Sequence, residues 1–303
     1  MGYKRAGFNV IGNVEIDSRI NDVYVKNLQP KYNFCMDLRN FNKLENLPSE
    51  LFGIDILDGS PPCTTFSIAG EREKNWGKTK CFNEGQQEQV LDELFFVWLD
   101  TVEKLQPKIA IAENVLGLIM GNAKGYVNLI LKRFKKLGYE VQIFKLNSAL
   151  MDVPQVRERI FFVANNQHYP KLKLNFQSKP ITFGEVRTAQ GISVISEKAK
   201  RRLLYAHATD LNISDITKRI EGKRTSYMTR ILQDDRVAPT FVTKSWYFRF
   251  CDKTNISTGD IINISTFPQD YDFCGRSVYY ICGMSVPPNM MANIATEIYK
   301  QWL

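Results

Sequence analysis

The sequence predicts an α/β fold on a parallel sheet, followed by a second, smaller domain, and three observations carry that prediction. From residue 10 to about 165, short β-branched runs alternate with amphipathic stretches, as βα units do. After about residue 170 the alternation gives way to polar loops and short aromatic runs such as Ser245-Trp246-Tyr247-Phe248. The chain has 303 residues, room for one large domain and one small one at about 100–200 residues per domain.

The strands expected in order are Val10–Ile16, Ile54–Leu57, Lys108–Ala112, Glu140–Leu146 and Arg159–Ala164, each a short β-branched or apolar run. Between the second and third, Val90, Leu91, Leu94, Phe95, Trp98, Leu99 and Val102 recur at helical spacing and form one wide apolar stripe, which suits packing on a sheet. A second helix, about Tyr126–Leu137, turns Val127, Ile130, Leu131, Phe134 and Leu137 inward and Lys132, Arg133, Lys135 and Lys136 outward, and stops at Gly138. Near the end, Val286-Pro287-Pro288 opens a helix over Asn289–Trp302, with Ile294, Ala295, Ile298 and Trp302 on one face.

Composition narrows the function classes. With 44% hydrophobic and 24% charged residues the chain is ordinary globular protein, not a disordered or low-complexity one. The longest apolar run, Leu94 to Leu99, is far short of the ~20 residues that span a bilayer, and Met1 to Gly7 lacks the apolar core of a secretory signal, so a cytoplasmic location is expected. Six cysteines without a CxxC pair and only two histidines, His168 and His207, suggest neither zinc nor disulfides. A net charge of +8 favours a polyanionic partner.

Three segments carry chemistry. Cys63 stands in the rigid turn Asp58-Gly59-Ser60-Pro61-Pro62-Cys63, just past a strand's carboxyl end, where open α/β sheets bind ligands. A thiolate there is a nucleophile, while a buried core cysteine is the alternative. Ala112-Glu113-Asn114-Val115 places a carboxyl and an amide at a second strand end, or else caps a turn. Gln155-Val156-Arg157-Glu158-Arg159 puts two guanidinium forks on one side by alternation, suited to a base edge or phosphate, or to a surface ion pair.

Together and in this order, these segments resemble the cytosine-5 DNA methyltransferases of bacterial and phage type. Pro62-Cys63 with Phe66-Ser67 is similar to the nucleophile motif, Glu113-Asn114-Val115 to the acid motif and Gln155/Arg157/Arg159 to the paired-arginine motif. Glu15, Asp37-Leu38, Leu94-Phe95-Phe96, Ala238-Pro239-Thr240, Phe267-Pro268 and Gly283-Met284-Ser285-Val286-Pro287-Pro288 extend the likeness over nearly the whole chain. The resemblance implies a Rossmann-like, S-adenosylmethionine-dependent methyltransferase domain over residues 1–168 plus 280–303, and a target-recognition domain over 169–279. It implies no metal.

The resemblance also implies roles. Cys63 would add to carbon 6 of a flipped-out cytosine, Glu113 would hold and protonate ring nitrogen 3, Asn114 would fix the loop, and Arg159, supported by Arg157, would hold the base oxygen. Glu15, Ile16, Asp37, Leu38, Pro62, Leu94, Ser285 and Val286 would line the cofactor, with Glu15 on the ribose hydroxyls. Residues 68–85, with Arg72, Lys74, Lys78 and Lys80, would form a basic loop over double-stranded DNA, and Lys223, Arg224, Arg230, Lys244 and Arg249 would meet phosphates or bases. A monomer suffices, and a cognate restriction endonuclease or a complementing chain is a further partner.

Against that pattern, the strand and glycine-rich loop with which the family begins have no counterpart here, and Tyr3-Lys4-Arg5-Ala6-Gly7-Phe8 is similar to the end of the helix that follows them. The central strand would then be missing, leaving a slot in the sheet. Met284 stands where the family usually has asparagine. A catalytically weak or partner-dependent DNA-binding homologue and a tRNA cytosine-5 methyltransferase are the alternative readings.

Overall fold

The computed structural model describes residues 1–62, 93–120, 124–194, 196–225, 229–242 and 247–303. Cys63, Phe66-Ser67, the expected basic loop 68–85, Val90, Leu91 and Lys244 lie outside the described residues. The chain divides into two compact units. A sheet unit comprises Asn9–Leu146, Glu158–Leu174 and Glu297–Leu303; a loop-rich unit comprises Met1–Phe8, Asn147–Arg157 and Asn175–Thr296.

The sheet unit opens with β1 (Gly12–Glu15), α2 (Ser18–Leu28), β2 (Tyr32–Cys35) and α3 (Leu38–Lys43), after α1 (Gly2–Arg5) of the other unit. It continues through β3 (Ile56–Gly59), α4 (Leu94–Leu105), β4 (Ile109–Val115), α5 (Lys124–Lys136), β5 (Glu140–Asn147) and β6 (Glu158–Asn165). The five expected strands all form, with shifted ends. β2 was not foreseen: four residues with Asn33 and alternating exposure give little signal against the surrounding polar chain.

The described strands of the sheet unit pair as β1 parallel to β2, and as β3–β4–β6–β5 with β3 parallel and β6 antiparallel to β4. Neither β1 nor β3 has a second strand neighbour among the described residues. Both are half-exposed, whereas β4, flanked on both sides, buries Ile109, Ala110, Ile111 and Ala112 completely. Val14 of β1 and Leu57 of β3 nevertheless share one apolar cluster with Phe41, Leu51 and Leu105.

The main core lies where the sequence places it. Phe95, Trp98, Leu99 and Val102 of α4 and Ile130 and Phe134 of α5 pack with Ala110, Ala112, Ile160 and Phe162 of the sheet. After α5, Gly138 adopts φ +83°, a conformation that a side chain would strain.

The loop-rich unit carries the short helices α6 (Phe183–Val186), α7 (Glu197–Leu203), α8 (Ile213–Glu221), α9 (Thr258–Ile264) and α10 (Val278–Met284), with the strand pair β7 (Arg230–Leu232) and β8 (Tyr247–Arg249). Reciprocal side-chain caps begin α6, α8 and α9. The last helix, α11 (Pro288–Trp302), starts at the expected prolines and buries Ile294, Ala295, Ile298 and Trp302. Among the described residues no helix is long and apolar enough to cross a membrane.

Candidate active site

The polar chemistry of the sheet unit is concentrated at the carboxyl ends of β3 and β4. β4 runs on to Val115, three residues beyond the expected end, because it stays in register with β6 through Val115↔Arg159. Glu113 and Asn114 therefore belong to the strand and point to opposite faces. Asn114, 4% exposed, donates its Nδ2 to the Pro61 carbonyl at 3.0 Å, and its Oδ1 accepts the Val115 N–H at 2.9 Å. A strand residue thus ties down the Pro-Pro segment that leads into Cys63.

Glu113 shares a face with Arg159, two residues removed from its cross-strand partner, and Glu113 Oε1 meets Arg159 Nε at 2.9 Å. Both side chains are largely but not fully buried, 13% and 16% exposed. Arg159 also donates from Nη1 to the Glu158 carbonyl at 2.8 Å. Arg157 has different work. Within the loop-rich unit its buried guanidinium donates to the carbonyls of Gly283 at 3.1 Å and Met284 at 3.4 Å, ahead of Ser285 and Val286. The two arginines that alternation puts on one side hold different partners.

At the end of β1, Glu15 is half-buried and accepts the Asp17 N–H on Oε1 at 2.8 Å. Burial pushes its carboxyl above the ordinary range; the backbone bonds from Asp17 and Ile16 oppose that rise and the Asp17 charge adds to it. Asp37 caps α3, accepting the Arg39 N–H at 2.7 Å and pairing with the Arg39 guanidinium at 3.2 Å. Ile16 and Leu38 are half-buried and Leu94 is buried. Ser285 donates its hydroxyl to the Ile281 carbonyl at 2.7 Å, so its oxygen remains an acceptor.

Comparison with known proteins decides what this arrangement belongs to. A profile described as C-5 cytosine-specific DNA methylase matches residues 1–300. The chain belongs to that family. Among curated relatives it is 24% identical to the Type II methyltransferase M1.HphI of Haemophilus parahaemolyticus, covering 99% of this chain and 83% of the relative. It is 27% identical to the Type II methyltransferase M.NgoMIV of Neisseria gonorrhoeae, covering 99% and 93%. Two similar solved structures are a protein described as a DNA modification methyltransferase of an E. coli prophage (TM-score 0.69, 17% identical, 99% of this chain and 94% of that one) and DNMT2 of Spodoptera frugiperda (TM-score 0.66, 15% identical, 98% and 95%).

C-5 cytosine methylases depend on S-adenosylmethionine, and the residues present suit it. Glu15 offers a half-buried carboxylate at the end of β1, a fit for vicinal hydroxyls. No group of metal-ligating residues occurs among the described residues.

One expected DNA contact is corrected. Arg249 is fully buried at the end of β8, paired with Asp252 at 3.0 Å and with the fully buried Asp260 at 3.4 Å, because α9 presents Asp260 beneath it. It is a core residue of the loop-rich unit. Lys223, Arg224 and Arg230 are exposed. The sequence reading also passed over the contact of Trp98 with Gly59, although a glycine closing a strand signals close approach of another group.

Proposed function

We propose that the methylation of carbon 5 of cytosine, the reaction of this family, is carried out by Cys63, Glu113 and Arg159. The observation that carries this reading is the Glu113–Arg159 pair at the end of β4, beside the strand end where Asn114 holds Pro61 two residues before Cys63. Cytosine carbon 5 is a poor nucleophile. Addition of the Cys63 thiolate to carbon 6 converts the ring to an enamine, while Glu113 protonates ring nitrogen 3 and Arg159 hydrogen-bonds the base oxygen, drawing electron density outward as the bond forms. Bound S-adenosylmethionine would supply the methyl group as a sulfonium and leave as the neutral thioether. Loss of the carbon-5 proton then expels Cys63 and restores the aromatic ring. Glu15 would accept the ribose hydroxyls, with Ile16, Asp37, Leu38, Pro62, Leu94, Ser285 and Val286 around the cofactor.

The thiol cannot reach carbon 6 inside a stacked duplex, so the base must leave the helix, at a cost of about a few kcal/mol recovered in the pocket. Sequence reading would fall to the loop-rich unit, where Lys223, Arg224 and Arg230 are exposed. A cognate restriction endonuclease and a cytoplasmic, monomeric enzyme complete the reading. The test is transfer of labelled methyl from S-adenosylmethionine to unmethylated DNA and to RNA. Label on DNA that disappears in Cys63→Ala, with DNA binding retained, is expected; label on RNA alone, or turnover unchanged in Cys63→Ala, overturns it.

A further inference from the structure

We propose that Trp98 is a positioning residue for the nucleophile, acting through Gly59. Trp98 projects from α4 onto the last residue of β3. A Cβ at position 59 would lie 2.6 Å from Trp98 Cδ1 and 2.9 Å from Cε2, closer than atoms approach without displacement. The indole cannot give way. It is 4% exposed and locked by edge-to-face contacts with Phe95 at 5.7 Å and Phe134 at 6.0 Å. Its Nε1–H is buried without a hydrogen-bond partner in the described structure. A buried indole normally finds an acceptor, so here the polar edge is given over to contact with the strand.

The consequence lies four residues on. The strand leaves Gly59 through Ser60, Pro61 and Pro62 to Cys63, and two prolines leave few soft torsions between the indole and the thiol. The segment is held at two points: Gly59 by van der Waals contact with Trp98, and the Pro61 carbonyl by Asn114. Both holds come from elements of the sheet unit, so the line along which the chain departs toward Cys63 is set by a helix and a strand. Trp98 and Gly59 form a size-matched pair in which each dictates the other. Large and small residues meeting across a packed contact are coupled, and a displacement of 1 Å at a reacting group costs about a hundredfold in rate.

The inference rests on Cys63 being the nucleophile, and the experiment separates the two. Gly59→Ala, Trp98→Phe and the double variant Gly59→Ala/Trp98→Leu are compared with the full chain by steady-state methyl transfer and by peptide-resolved alkylation of Cys63 with iodoacetamide. Gly59→Ala is expected to lower kcat by about tenfold to a hundredfold with KM for DNA and cofactor nearly unchanged, and the double variant to recover most of it. Trp98→Phe, which adds no bulk and keeps an aromatic core, lowers kcat severalfold and serves if Gly59→Ala does not fold. The rate of Cys63 alkylation changes in Gly59→Ala and returns in the double variant. A core filler without a positioning role would lower the melting temperature and leave kcat and alkylation per folded molecule as they were. That result, or a double variant no better than Gly59→Ala, overturns the proposal. If the unsubstituted chain transfers no methyl group, the nucleophile reading fails, and the alkylation series alone decides whether Trp98 positions Cys63.

Discussion

The two units use charge in opposite ways. In the sheet unit the interior is apolar, with Ile109, Ala110, Ile111, Ala112, Phe161 and Phe162 fully buried, and ionisable groups stand at strand ends, as Glu15, Glu113 and Arg159 do. In the loop-rich unit the charges are inside. Asp260 accepts the Thr188 and Ser257 N–H groups at 2.7 Å each while facing Arg249, and Asp210, 5% exposed, pairs with Arg219 at 2.6 Å. The sheet gains its rigidity from hydrophobic burial and strand pairing, which frees its polar residues for ligands. A unit of short helices and loops has backbone groups that no ladder satisfies, and buried side chains must serve them.

If that contrast is right, removing a charge damages chemistry in one unit and stability in the other. The largest effect falls on Glu113→Gln, which keeps the shape and the contact with Arg159 but cannot donate a proton as a carboxylic acid does. Single-turnover methyl transfer should fall by about a hundredfold to ten-thousandfold, with the urea midpoint nearly unchanged. A large loss of stability instead would break the comparison. Asp260→Asn should do the reverse. It leaves Arg249 paired with Asp252 but takes an acceptor from the buried Thr188 and Ser257 N–H groups, and urea unfolding should show a loss of about 1–3 kcal/mol, the range for an unsatisfied buried polar group.

A smaller effect sharpens the role of Glu15. Only the ionised carboxylate accepts well from ribose hydroxyls, and burial raises its pKa, so protonation begins at a higher pH than for an exposed glutamate. Affinity for S-adenosylmethionine, read by calorimetric titration, should therefore weaken as pH falls, with a midpoint above the ordinary carboxylate range. Glu15→Gln should bind weakly with a flat profile, and an unchanged slope would remove Glu15 from the site. The smallest effect belongs to Lys31→Ala. Its exposed pair with Glu50 at 2.6 Å faces water, and no change in melting temperature or turnover is expected.

Much of the sheet unit was legible because period and burial agree there. The stripe from Leu94 to Val102 and the inward set from Val127 to Phe134 pack as their spacing demands. Its ends were less legible. β4 outruns its apolar run because β6 pairs with it as far as Arg159, a long-range hydrogen-bonding decision invisible in the local pattern. β2 is carried by its pairing with β1, residue for residue from Gly12↔Tyr32 to Glu15↔Cys35, and by Tyr32 and Phe34, which meet an apolar cluster assembled from distant residues. The loop-rich unit resisted reading for the reason its charges are inside. An arginine in the run Tyr247-Phe248-Arg249-Phe250 looks like a surface residue until Asp260, eleven positions on, is seen against it.

The sequence by itself determined the family and the order of its motifs, because Pro62-Cys63, Glu113-Asn114-Val115 and Gln155/Arg157/Arg159 are covalent facts of the chain. It also determined which faces of α4, α5 and α11 are buried, since helical period fixes which residues share a face. Only the tertiary structure decided that Arg159 turns to Glu113 while Arg157 turns to the Gly283 and Met284 carbonyls. Only the tertiary structure set Trp98 against Gly59, and the reason is the same in both cases. Alternation and period place a side chain on a face, but its partner arrives from a residue dozens or more than a hundred positions away, brought there by strand pairing and by the packing of a helix on the sheet.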